Sequence, residues 1–166
     1  SEVMFWLYRP LTFMLWGGVF ERFPRLKAMV VEGGTMLMVP SWLMLLDHNY
    51  TDIQFSAKLG DFRSHLSMAP SEYFARNCGI GASCVPRRDL DMRDQIGLKQ
   101  IMWGSDFPHP EGTWPNTAQY YQDTFKGFDV DDGRQILGGN AIEFYGLDRQ
   151  YLDGLAAEIG PSSSIF

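Results

Sequence analysis

Gln100-Ile101-Met102-Trp103-Gly104-Ser105-Asp106-Phe107-Pro108-His109-Pro110 is the stretch on which the reading of this chain turns. Ile101-Met102-Trp103 is a short continuous apolar run closed by a glycine, the pattern of a buried strand. The Ser-Asp-Phe-Pro-His-Pro that follows reads as a loop with an acidic side chain at its tip. In parallel α/β folds the strand ends open into the cleft where ligands bind, so a carboxylate at that place has chemical meaning.

Two earlier runs match the first. Residues 26–31 form an apolar run broken by Glu32-Gly33-Gly34, and residues 78–84 form another, weakened by Gly79 and Gly81. Helical patterns fill the intervals. One covers 11–23 and is ended by Pro24. A second opens at Pro40 with Trp42, Leu43, Met44, Leu45 and Leu46 as its apolar stripe. Short helices are expected after Pro70 and over 91–96, the latter closed by Gly97. Others are expected over 117–125, 131–144 (with Gly146 at the exit) and 151–159. Residues 49–68 read as a mixed loop with short helical pieces, and 161–166 as a loose tail. Strands separated by helices predict an α/β fold with about three parallel strands under covering helices. Residues 1–150 make up that domain, and 151–166 a carboxy-terminal helix and tail. A sheet of this size leaves an edge open on each side, which invites pairing with another chain.

Composition narrows the function. With 166 residues the chain has length for one sizeable core. A net charge of -6 gives no support for a nucleic-acid partner, which needs basic patches. Residues 3–20 are apolar, but Arg9 and Pro10 interrupt them and no small-residue cleavage site follows, so neither a membrane span nor a signal peptide is expected. The chain begins without a methionine and as if in mid-helix, as the interior of a longer chain would. Cys78 and Cys84 are too few for a disulfide framework and read as reduced thiols of a cytoplasmic protein.

Asp106 is the first candidate for chemistry: it could hold a divalent metal or accept a proton, or it could simply cap its loop by accepting backbone N–H bonds. Glu32 stands at the corresponding end of the first strand, where two glycines let the backbone turn tightly. If the strands are close, Glu32 and Asp106 share a mouth and could share a metal or act as an acid and base pair. His109 could ligate a metal, shuttle a proton or bind an anionic substrate, or be an ordinary loop histidine. Trp114, in Glu111-Gly112-Thr113-Trp114-Pro115-Asn116, could line a substrate pocket or pack on its rim. His48 and His65 read as structural or exposed. Gly138-Gly139-Asn140 lacks the Lys-Ser/Thr of a phosphate loop. Its glycines are expected to permit close helix packing, and Asn140 to make a helix-start or local backbone bond.

Gly17-Gly18-Val19-Phe20-Glu21-Arg22-Phe23-Pro24-Arg25-Leu26-Lys27, Glu32-Gly33-Gly34, Trp103 to Pro110, and Gly139-Asn140-Ala141 through Phe144-Tyr145-Gly146-Leu147 together resemble the carboxy-terminal half of the amidohydrolase-related family. This is the metal-dependent TIM-barrel group that includes aminocarboxymuconate-semialdehyde decarboxylase. The resemblance covers most of residues 10–150. It implies the last part of a (β/α)8 barrel and a divalent metal, commonly zinc, with Asp106 in the place of the last-strand metal ligand and base. The family's first-strand His-x-His pair has no counterpart here, and Glu32-Gly33-Gly34 replaces its later His-Gly-Gly.

Eight strands need roughly 250 residues, and this chain supplies about three strands. Either a companion subunit or second copy supplies the rest, or the chain is a piece of a longer one. The function implied is a metal-dependent hydrolase or decarboxylase acting on a small organic substrate, possibly a carboxylate, with Asp106, Glu32 and His109 as its working residues. The alternative is a non-catalytic half-barrel or fragment with a structural or binding role.

Overall fold

The computed structural model describes residues 2–33, 36–52, 58 and 60–166. Gly34 of the Glu32-Gly33-Gly34 break, and residues 53–57 and 59 of the expected mixed loop, lie outside the described residues.

Strands β1 (Ala28–Val31), β2 (Cys78–Ser83) and β3 (Ile101–Gly104) pair in that order, all parallel. Val30 stands opposite Ile80, and Ile80 opposite Ile101, so these three side chains project from one face of the sheet. That face is covered by α1 (Glu2–Trp16), α2 (Val19–Arg22), α3 (Val39–Thr51) and α4 (Pro70–Asn77). Tyr8, Leu15, Phe20, Val39, Leu43, Tyr73 and Phe74 meet Val30 and Ile80 in one core. Trp42 anchors the helices to one another: its ring lies 5.3 Å from that of Tyr8 and 6.0 Å from that of Phe74, and its Nε1–H donates to Thr12 Oγ1 at 3.1 Å. Among the described residues the sheet stays open, with one side of β1 and one side of β3 unpaired. A parallel sheet flanked by helices and open at both edges is consistent with part of a TIM barrel.

On the second face Gly79 and Gly81 bring no side chain. A Cβ on Gly79 would lie 2.6 Å from Met102 Cε and 3.1 Å from the Phe144 ring, so the glycine admits both. Phe144 thereby covers the N-terminal end of the sheet, and the opposite end is left for the loops.

Several helices differ from the pattern in the sequence. Helix α1 extends back to Glu2 with Pro10 inside it, and it ends before Gly17-Gly18 and not at Pro24. Gly18 adopts φ +63, a left-handed conformation that stops a helix at little steric cost. The helix expected over 91–96 is divided into α5 (Arg87–Leu90) and α6 (Arg93–Ile96), and Gly97 at φ +104 closes the second. After α7 (Thr117–Phe125), the segment expected as one helix consists of α8 (Val130–Arg134), one π-helical turn (Gln135–Gly139) and α9 (Asn140–Tyr145). Asp129 starts it by accepting the N–H groups of Asp131 and Asp132, both at 3.0 Å.

Asn140 does not make a local bond. Its Nδ2 donates to the carbonyls of Leu98 at 2.7 Å and Ile101 at 2.8 Å, tying α9 to the start of β3. Helix α10 (Arg149–Ile159) follows, capped by Asp148, whose carboxylate accepts the Tyr151 N–H at 3.0 Å. In the terminal segment Ile165 is buried, and the Phe166 ring lies 6.0 Å from that of Phe125, over Gly133.

Candidate functional site at the strand ends

Three non-glycine residues among those described have positive φ: Glu32 (53°), Cys84 (51°) and Asp106 (59°). Glu32 and Cys84 directly follow β1 and β2, and Asp106 comes two residues after β3. All three therefore lie at the same end of the parallel sheet. Left-handed backbone at a residue with a Cβ costs on the order of 1–3 kcal/mol, and such residues concentrate at functional sites. At each strand end this conformation turns the chain sharply out of the sheet.

The loop after β3 is braced by its own backbone. The Thr113 N–H donates to the Ser105 carbonyl at 2.9 Å, the His109 N–H to the Asp106 carbonyl at 2.7 Å, and the Gly112 N–H to the His109 carbonyl at 3.0 Å. Gly112 is required there, since a Cβ would come within 2.8 Å of the carbonyl oxygens of both Ser105 and Asp106. Among the described residues no backbone N–H donates to the Asp106 carboxylate; its main-chain carbonyl serves the turn and its side chain is left for other work.

That side chain faces His109. Asp106 Oδ2 lies 3.4 Å from His109 Nδ1, with the carboxylate 19% exposed and the imidazole 56% exposed. The Glu111 N–H also points at Nδ1, from 3.4 Å. One nitrogen cannot donate to the carboxylate and accept from an amide at once. The hydrogen bond formed is the one from the Glu111 amide, so Nδ1 is its acceptor, and the Asp106 carboxylate lies beside the ring at 3.4 Å.

Cys84 is the neighbour that the sequence did not reveal. Its N–H donates to the Gly104 carbonyl at 3.3 Å, and its Sγ–H reaches the Glu111 carbonyl at 3.5 Å. Burial, and then the negative charges of Asp106 and Glu111, push its thiol pKa up. A thiol held protonated is a poor nucleophile. Its position just past β2, matching that of Glu32 just past β1, was the one available signal.

Glu32 is exposed and stands on the far side of β2 from Asp106, with no contact between the two carboxylates. Trp114 is 67% exposed and packs edge-on against Phe107, itself 63% exposed, with ring centroids 5.7 Å apart. Beneath them Trp103 packs against Tyr121 at 4.9 Å, and the Tyr120 hydroxyl donates to the Val85 carbonyl. Burial holds both tyrosines protonated, with pKa values pushed up to about 12. His48 lies beside Asp52 at 3.8 Å, and His65 Nε2 donates to the Trp16 carbonyl at 2.9 Å, both on other parts of the fold.

Among the described residues no group of three or more His, Cys, Asp or Glu side chains could hold a metal ion. A catalytic zinc takes three protein ligands. Asp106 and His109 offer one carboxylate and one imidazole, so this donor set does not fit a divalent ion by itself. A carboxylate beside an imidazole in this arrangement can take, hold and return a proton. No helix among the described residues is long and apolar enough to cross a membrane.

The model of a family described as Amidohydrolase matches residues 7–147. The chain is 28% identical over 136 residues to 2-amino-3-carboxymuconate-6-semialdehyde decarboxylase of Dictyostelium discoideum, a match spanning 81% of this chain and 35% of that protein. Among solved structures it resembles 5-carboxyvanillate decarboxylase from Sphingomonas paucimobilis, with a TM-score of 0.63 and 28% identity over 81% of this chain and 38% of the other. It also resembles an amidohydrolase from Mycobacterium avium subsp. paratuberculosis K-10, with a TM-score of 0.60 and 27% identity over 79% of this chain and 31% of the other. The chain thus spans about a third of the length of each of these relatives.

Proposed function

The chain belongs to the amidohydrolase family, and from that premise we propose that it is the carboxy-terminal part of a hydrolase or decarboxylase barrel, carrying the acid–base residue of its active site. The observation that carries this reading is Asp106, at a left-handed turn beyond β3 with its carboxylate facing His109 and unused by the loop. Two of the relatives are decarboxylases by name, which supports a small carboxylate as the substrate class.

In this reading Asp106 takes a proton from water or substrate and returns it in a later step. His109, whose Nδ1 lies 3.4 Å from Asp106 Oδ2, helps fix the orientation of the carboxylate. The partial burial of Asp106 strengthens that contact relative to open water. The exposed rings of Trp114 and Phe107 flank the entrance and offer a flat apolar wall to a substrate.

The unpaired sides of β1 and β3 are where further parallel strands attach, on this polypeptide or on a companion. A divalent metal requires nitrogen donors from those strands, with Asp106 as the carboxylate this chain contributes. The test is a purified native assembly, assayed for metal content and for turnover of small aromatic and conjugated carboxylates. Asp106→Asn should abolish turnover with the fold retained. An assembly in which that variant turns over normally overturns the reading.

The second reading is a half-barrel with a binding or structural role, in which the described residues form no donor cluster of their own. Its stability and oligomeric state should then be indifferent to chelators, whereas a metal-holding assembly should lose stability.

A further inference from the structure

Helix α10 has eleven residues and buries none of them. An isolated helix of that length is marginal in water and normally depends on packing of its apolar face. Leu152 and Ala156, one turn apart, line a cavity of about 580 Å³ that separates α10 from the π-helical turn and α9. Leu137 and Ile142 form the opposite wall, and Ile165 closes one end. The volume lies within the range of small-molecule sites, roughly 300–1,000 Å³. A ten-residue helix about 10 Å wide and 15 Å long would need roughly twice as much space, so the cavity is too small for a protein segment of that kind.

Its polar groups are few and placed at the rim. Arg134 and Arg149 stand at its edge with Asp153 as the one lining acid. Arg134 has no ion-pair partner among the described residues, and Arg149 meets only Glu143, at 3.8 Å. With Arg149 already beside Glu143, Arg134 is the guanidinium left to meet an anion beside the apolar interior. Gln135 Oε1 is a buried acceptor with no hydrogen-bond partner among the described residues. It rests against Gly139, where a Cβ would come within 2.3 Å of it. Gln135 and Gly139 are the first and last residues of the π-helical turn, a local distortion often found at functional sites.

We propose that this cavity is a second small-molecule site, distinct from the strand-end site, for an amphipathic monocarboxylate: an apolar body between α9 and α10, with its carboxylate on Arg134 and Arg149. Occupancy docks α10 onto the body of the protein.

The test titrates the whole protein with octanoate and, separately, octylamine, by calorimetry and by thermal unfolding. Octanoate should bind saturably and raise the Tm, and octylamine should do neither. Arg134→Gln, at an exposed position, should weaken octanoate binding at least tenfold with the unliganded Tm unchanged. Leu152→Trp, which places a bulky indole in the apolar interior, should abolish binding while circular dichroism remains native. The proposal is overturned if octanoate shows no saturable binding, if octylamine binds as well, or if binding survives Leu152→Trp.

Discussion

His109 Nδ1 lies 3.4 Å from Asp106 Oδ2, three residues away along a loop whose turn is closed by the backbone of the same two residues, His109 N–H to the Asp106 carbonyl at 2.7 Å. One pair thus makes both a main-chain bond that shapes the loop and a side-chain contact between carboxylate and imidazole.

In the complete assembly, Asp106→Asn should lower kcat by roughly 10²–10⁴-fold, the usual contribution of a positioned acid–base group. Asparagine tolerates left-handed backbone, so the loop should keep its shape. His109→Ala should cost less, roughly tenfold, because it removes the orientation and not the base. Steady-state kinetics beside circular dichroism checks both, and equal losses for the two variants would contradict the division of roles.

Gly112→Ala places a methyl group within 2.8 Å of two backbone carbonyl oxygens, neither of which is free to move without opening the loop. The expected outcome is a kcat reduced by roughly 10–100-fold, about 1.4–2.8 kcal/mol, with the unfolding midpoint changed little. A crystal structure of the variant should show Asp106 displaced.

Asn140→Ala leaves the carbonyls of Leu98 and Ile101 without their shared donor. The Leu98 carbonyl keeps the Ile101 N–H, and losing the bond to the buried Ile101 carbonyl costs about 1–3 kcal/mol, so urea unfolding should report a loss in that range. Asn140→Asp should be at least as damaging, since a carboxylate cannot donate.

Burial pushes the Cys78 thiol up to about 12 from an ordinary 9, and the Tyr8 hydroxyl up to about 12 from 10. Both groups are neutral when protonated, so the folded chain keeps protons that the unfolded chain releases. Their contribution is complete below about pH 9 and declines as the pH rises toward 12. The urea midpoint should therefore fall steadily from pH 9 to 11, and Cys78→Ala should flatten that slope. A midpoint independent of pH over this range contradicts the assigned burial.

The three strands were legible because each is a short run of mostly apolar or small residues between helical patterns, a local property of the chain. Asp106 and His109 were legible for the same reason: three residues and two flanking prolines confine them to one loop. The division of 131–144 by a π-helical turn was not, since the sequence there keeps a helical pattern throughout. Nor was the break in α1, where the apolar pattern runs past Gly17-Gly18 and only the left-handed Gly18 ends the helix.

What the amino-acid order determined by itself is which segments are strands, where each ends, and that a carboxylate follows the last of them. The tertiary structure alone decided that Cys84 sits beside Asp106, that Glu32 stands one strand further away, and that Asn140 holds β3. These are spatial relationships between residues about 20 to 75 positions apart, and such distances along the chain carry no local signal. They depend on the order in which parallel strands pair, and that order is set by how the helices pack on one face of the sheet.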